Sequence, residues 1–120
     1  MQLQALLITF LVLLAGCSET NTPAEYIKKA KIASNNSQYK QAILFYKNAL
    51  KENPSLIEVR FELGSIYYLL GDLKSAEKFF QNAYDSDLPK ENIVPLLAST
   101  FFQQNNMVAL EQLINEQKIV

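Results

Sequence analysis

The chain has 120 residues, about half of them apolar, with 11 basic and 12 acidic side chains. It is one small domain, long enough to bury about 65% of its unfolded surface. Charge this balanced, with lysines scattered along the chain and no tryptophan, leaves no electrostatic footprint for nucleic acid. Histidine is absent and Cys17 is the only cysteine, so the usual zinc ligand sets, the Ser/His and Cys/His nucleophile pairs and an internal disulfide are all excluded. Carboxylate, lysine and tyrosine chemistry remain open by composition; no cofactor and no metal is expected, and the chain is read as a non-enzyme.

From Leu3 to Ala15 the residues LQALLITFLVLLA are apolar apart from Gln4 and Thr9. The run is shorter than an ordinary membrane span of ~20 residues and suits the apolar core of a secretory signal. Leu14, Ala15, Gly16 and Cys17 follow. Here the chain resembles the bacterial lipoprotein signal, whose lipobox is Leu, Ala, Gly, Cys, although only the amino terminus supplies positive charge ahead of the apolar run. The resemblance implies that residues 1–16 are removed and that Cys17 becomes the lipidated first residue of the mature chain. Each buried methylene contributes ~0.8 kcal/mol, so two or more acyl chains, palmitate among them, hold a protein durably on a membrane where one does not. Ser18 in place of aspartate resembles lipoproteins sent on to the outer membrane, which implies a periplasm-facing location in the cell envelope. The alternative is an uncleaved anchor, or a buried N-terminal helix with a free thiol. Residues 17–22, ending in SETNT, form a short polar tether.

Helix signals then recur. Thr22, Pro23 and Glu25 predict a capping box and a first helix that runs until Asn35, Asn36 and Ser37 break it. A second helix is predicted from about Gln38 to Glu52, ended by Asn53 and Pro54. Ser55 and Glu58 predict another capping box and a helix to Leu70, Gly71 a turn, and Asp72 the cap of a helix reaching Asp85. After a connection from Asp85 to Lys90, a fifth helix runs to about Gln104; with Asn92 as its cap, Pro95 falls in the first turn, where a missing N–H costs little. Asn105 and Asn106 punctuate, and a sixth helix covers Met107 to about Gln117.

The helices are related by a spacing of 34 residues. It separates Ala30, Gly64 and Ala98; Tyr39, Leu73 and Met107; Ala42, Ala76 and Leu110; and Tyr46, Phe80 and Ile114. One period in four columns marks a stacked array. With Leu63, Gly64, Tyr67, Ala76, Phe80 and Ala83 in its middle unit, the chain resembles the tetratricopeptide repeat (TPR) family. The resemblance implies an all-α solenoid of helical hairpins over residues 23–120, with repeats at about 23–56, 57–90 and 91–120. The first repeat departs from the pattern at Lys29, which stands in the leucine column, and Pro89 in the second lies one place late. The third decays to Leu110, Ile114 and Gln117. More narrowly, LLAGC, YKNALKENP, VRFELGSIYYLLGDLKSAEKFFQNAYDSDLP and IVPLLAS together resemble the N-terminal region of the TPR lipoproteins of PEP-CTERM/exosortase systems, which are much longer.

In such arrays the first helix of each hairpin lines a concave groove. Carried onto this chain, the partner-binding positions include Ile27, Lys31, Phe61, Tyr68 and Phe102, where the aromatics are the strongest candidates for holding a peptide or helix of another envelope protein. Packing between neighbouring helices is the alternative role for each. The carboxylate clamp of chaperone-binding TPRs is not matched, since its positions here hold Ile27, Lys31, Glu62, Asn92 and Leu96. Glu58 and Glu62 lie four apart on one helix, but an exposed pair lacks the burial that makes a catalytic dyad. The last helix carries Met107, Leu110, Leu113 and Ile114 without a polar capping helix after it, which predicts a face for a partner, a second copy or further repeats. The resemblance implies an adaptor in exopolysaccharide or exosortase-linked export. The alternatives are outer-membrane assembly, pilus biogenesis, or, from another class, an enzyme or regulatory domain acting on cell wall or polysaccharide.

Overall fold

A computed structural model describes residues 20–118. The apolar N-terminal run, the lipobox with Cys17, most of the tether and the terminal Ile119 and Val120 lie outside the described residues. Among the described residues there are six helices and no strand: α1 (Pro23–Asn35), α2 (Tyr39–Glu52), α3 (Ile57–Leu69), α4 (Leu73–Tyr84), α5 (Lys90–Gln103) and α6 (Met107–Lys118). None of them is long and apolar enough to cross a membrane. Packing is most extensive within the hairpins α1–α2 and α3–α4 and sparser within α5–α6, while α2 meets α3, α4 meets α5 and α3 meets α5 between hairpins.

The period of 34 is also written in the backbone. Each hairpin turns on one residue of left-handed conformation, Ser37 (φ 58°), Gly71 (φ 76°) and Asn105 (φ 56°), spaced by that interval. At each turn the next N–H reaches back five residues: Gln38 to the Ala33 carbonyl at 2.8 Å, Asp72 to Tyr67 at 3.0 Å and Asn106 to Phe101 at 2.9 Å. These are Schellman closures, which satisfy carbonyls that the end of a helix leaves open. A Cβ at Gly71 would meet nothing within 4 Å, so only its conformation resists substitution. Gly71→Ala is therefore expected to lower stability by about 1 kcal/mol, the cost of a left-handed alanine. Urea midpoints at unchanged slope measure it, and an unaltered midpoint would mean that the turn readily adopts another form.

Two of the predicted N-caps are present. Thr22 and Glu25 exchange bonds reciprocally, with the Thr22 N–H donating to Glu25 at 2.7 Å and the Glu25 N–H to Thr22 Oγ1 at 3.3 Å. Asp72 accepts from the Ser75 hydroxyl at 2.7 Å and the Ser75 N–H at 3.1 Å, which holds its carboxyl below the usual range. The other two are corrected. Asn53 Oδ1 takes both the Ser55 N–H (3.1 Å) and the Ser55 hydroxyl (2.7 Å), so α3 starts from Leu56 without a side-chain cap and the Ser55/Glu58 box does not form. Helix α5 starts at Lys90 with Pro89 in the cap position, not at Asn92. Lys90 Nζ donates to the carbonyls of Tyr84 and Ser86, which fixes the start of α5 against the end of α4. Pro95 is then inside the helix, where it leaves the Glu91 carbonyl without a helical partner; its exposure lets water take that place.

The core has two clusters that share Tyr67. One joins Ala30, Ala33, Ala42 and Tyr46 to Val59, Leu63 and Ile66, and the other joins Ala76 and Phe80 to Leu97, Phe101 and Leu113. Gly64 lies where α3 crosses α4: an added Cβ would stand 2.7 Å from the Phe80 ring and 3.3 Å from Phe79 Cβ. Only a residue without a side chain allows this approach. Tyr67 stacks on Phe79 with ring centres 5.6 Å apart and planes 6° from parallel.

The departures from the repeat pattern now have structural reasons. Leu63 and Leu97 are fully buried against the preceding hairpin, whereas no described element precedes α1, so Lys29 in the same column is exposed and donates to Asn21 Oδ1 at 2.7 Å. At the other end Tyr46 and Phe80 are buried, while Ile114 in their column is 45% exposed. Helix α6 is held by Leu113 and by Tyr84, whose hydroxyl donates to Glu116 at 2.8 Å and accepts from Gln117 at 3.0 Å. The Glu116 bond, with burial second, raises the Tyr84 pKa.

Candidate functional site

Helices α3 and α5, the first helices of the second and third hairpins, lie side by side. Tyr68 and Ser99 join their hydroxyls at 2.7 Å, and Gln103 Nε2 donates to both oxygens. The hydroxyl of Tyr68 is thus fully engaged within the fold. Its ring leans on Phe80 at 6.4 Å, and Phe61, two turns earlier on α3, leans on the same ring at 5.8 Å. A buried phenylalanine of α4 therefore backs both aromatic candidates.

The five candidate residues do not form one patch. Phe61 and Tyr68 are half-buried together in the second cluster, whereas Ile27 is half-buried against the first. Lys31 is exposed on α1. Phe102, in the register position of Tyr68 one repeat on, is 64% exposed, and Leu69 beside Tyr68 is 65% exposed. The free apolar surface of this face is therefore at the C-terminal ends of α3 and α5. Phe61 and Tyr68 contribute shape and support as well as contact area.

At the opposite end of the same helices a cleft of about 170 Å³ opens between α3 and the α4–α5 connection. Phe61, Leu88, Pro89 and Ile93 supply its apolar lining, with Glu58, Glu62 and Asn92 around them. A shallower recess of about 420 Å³ shares Glu58 and Leu88 with it and adds Asp85 and Asp87. Phe61 is among the groove positions that the repeat resemblance implies, but the wall made by residues 85–89 was legible only as a connection; the apolar pair Leu88–Pro89 inside it is the signal that it packs. Burial, and after it the charge of Glu62, push the Tyr46 phenol up to about 12, so it stays neutral in the first core cluster. Glu58 and Glu62 are both exposed, which gives neither the dry environment of a proton-transfer pair. Among the described residues no group of three or more acidic, Cys or His side chains is arranged to hold a metal ion.

A tetratricopeptide-repeat model matches residues 35–91, from the last residue of α1 to the start of α5. No curated protein matches the chain in sequence. Among solved structures, the crystal structure of YrrB, described as a TPR protein with an unusual peptide-binding site, superposes with a TM-score of 0.69 at 18% identity, over 77% of this chain. The chain spans about half of that protein's length (47%). The six helices, with their turns in one register and their close α3–α4 crossing, have the helical-hairpin fold of the tetratricopeptide repeat.

Proposed function

We propose that the protein is a lipid-anchored adaptor that holds another protein at the bacterial cell envelope and performs no chemistry itself. The observation that carries this reading is the face shared by α3 and α5, where Tyr68, Ser99 and Gln103 fix the two helices in register and leave Leu69 and Phe102 exposed beside them. Preorganised helices lose little freedom when a peptide or helix docks on them, and aromatic side chains supply much of the binding energy of such contacts. The peptide-binding site reported for YrrB supports the same use of the fold. A diacylated Cys17 fixes the location, periplasm-facing and on the outer membrane in preference to the inner, and concentrates the captured partner there. Resemblance to PEP-CTERM/exosortase TPR lipoproteins favours exopolysaccharide or exosortase-linked export as the process served.

Metabolic labelling with palmitate is expected to tag the wild-type chain and to miss Cys17→Ala; equal labelling removes the anchor from the proposal. Crosslinking capture from native envelopes is expected to weaken in Phe61→Ala/Tyr68→Ala at preserved helicity. Undiminished capture would move the docking face away from α3.

A further inference from the structure

The cleft at the N-terminal end of α3 differs in chemistry from the rest of the face. Its floor is apolar: Ile93 is buried, and Phe61 and Leu88 are half-buried. Around that floor and the recess continuous with it stand four exposed carboxylates, Glu58, Glu62, Asp85 and Asp87, and no basic side chain lines either depression. The two basic residues closest to them in sequence are turned to backbone. Arg60 donates to the Pro54 carbonyl at 2.8 Å, and Lys90 to the carbonyls of Tyr84 and Ser86 with its charge over the Tyr84 ring. In a chain whose charges nearly cancel as a whole, this is a local negative field over an apolar floor.

We infer that this cleft takes a basic peptide segment of the captured partner, one Lys or Arg laying its aliphatic stem on Phe61, Leu88 and Ile93 with its charge between Glu58 and Glu62, and a neighbouring basic residue meeting Asp85 and Asp87. Long cationic side chains cover apolar surface with their methylenes while the head stays among charges and water. An acidic or purely apolar segment lacks this match, because it leaves the carboxylates opposed or unmet. The inference rests on the adaptor reading and narrows it to a class of partner sequence.

The test uses the full chain in a neutral detergent and a fluorescein-labelled decapeptide with a central Arg-Lys pair, compared with the same peptide carrying Gln-Gln or Glu-Glu. Fluorescence anisotropy at low salt is expected to show the Arg-Lys peptide binding about tenfold more tightly than Gln-Gln, as two exposed charge pairs permit. Raising the salt should narrow that gap, and the Glu-Glu peptide should not bind. Glu58→Gln/Glu62→Gln is expected to remove about half of that advantage in free energy, a loss of roughly threefold in affinity, at an unchanged circular dichroism spectrum and Tm, because Asp85 and Asp87 remain. Equal affinity of the three peptides, no binding of the Arg-Lys peptide, or full binding by the double variant would each overturn the inference. The adaptor reading fails separately, if crosslinking in native envelopes captures no partner protein; weakened capture in Phe61→Ala/Tyr68→Ala with charge-blind peptide binding keeps the docking face and discards its basic partner.

Discussion

Phe80→Ala is expected to destabilise the chain by about 3–5 kcal/mol, the range for truncating a fully buried phenylalanine. The side chain is 0% exposed and touches three things at once: the backbone of α3 at Gly64, the ring of Phe61 and the ring of Tyr68. The void would open at the crossing of α3 and α4, where Gly64 has no side chain to fill it. Against a total of ~5–15 kcal/mol for a domain of this size, such a loss is a large fraction. The measurement is urea unfolding followed by helical circular dichroism, with Phe102→Ala as the exposed comparison expected within about 0.5 kcal/mol of wild type. A loss below 1 kcal/mol for Phe80→Ala would mean that the middle hairpin is loosely packed. On the adaptor function proposed above, the same variant should also weaken partner capture, since Phe61 and Tyr68 lose their backing.

How much of this was written in the sequence differs between core and surface. The columns Ala42/Ala76 and Tyr46/Phe80 predict buried positions, and these four residues are buried. The reason is physical: a small and a large residue one turn apart on the buried side of the second helix of a hairpin is a packing requirement that few other folds place every 34 residues. Helix starts were less legible. Ser55 and Asn92 are both good caps by residue type, but Asn53 competes for the Ser55 hydroxyl, and Lys90 ties down an earlier start for α5. A cap depends on which of several adjacent polar groups wins, and that is decided by the turn before the helix. The site was legible only in part. Register placed Phe61, Tyr68 and Phe102 on corresponding faces, yet it did not distinguish Tyr68, whose hydroxyl is consumed by Ser99 and Gln103, from Phe102, which is free. Nor did it find the wall of Leu88 and Pro89, because a connection has no period from which its packing side can be read.

Gly64→Leu tests the same crossing from the other helix. With an added Cβ already 2.7 Å from the Phe80 ring, a whole leucine side chain must push α3 and α4 apart, so an overpacking cost of about 1–3 kcal/mol is expected. Because Phe80 is the obstacle, the two substitutions should not be additive. In Gly64→Leu/Phe80→Ala the leucine has the void left by the phenylalanine to enter, and residues in direct contact commonly show interaction energies of about 0.5–3 kcal/mol. The double variant is therefore expected to be more stable than the sum of the single losses predicts, by at least about 1 kcal/mol. Simple additivity in the urea midpoints would mean that Gly64 and Phe80 do not share one contact. The cycle also bears on the array. Helix α3 meets α2 through Val59, Leu63 and Ile66 and meets α5 through Tyr68, so a displaced α3 disturbs both neighbouring hairpins. In a stacked array, where each unit is stabilised through its interfaces with its neighbours, a shift in the middle one reaches the whole chain. Single-step unfolding of Gly64→Leu with a lowered midpoint is the expected signature of that coupling, whereas a second transition would mean that the outer hairpins hold together without the middle one.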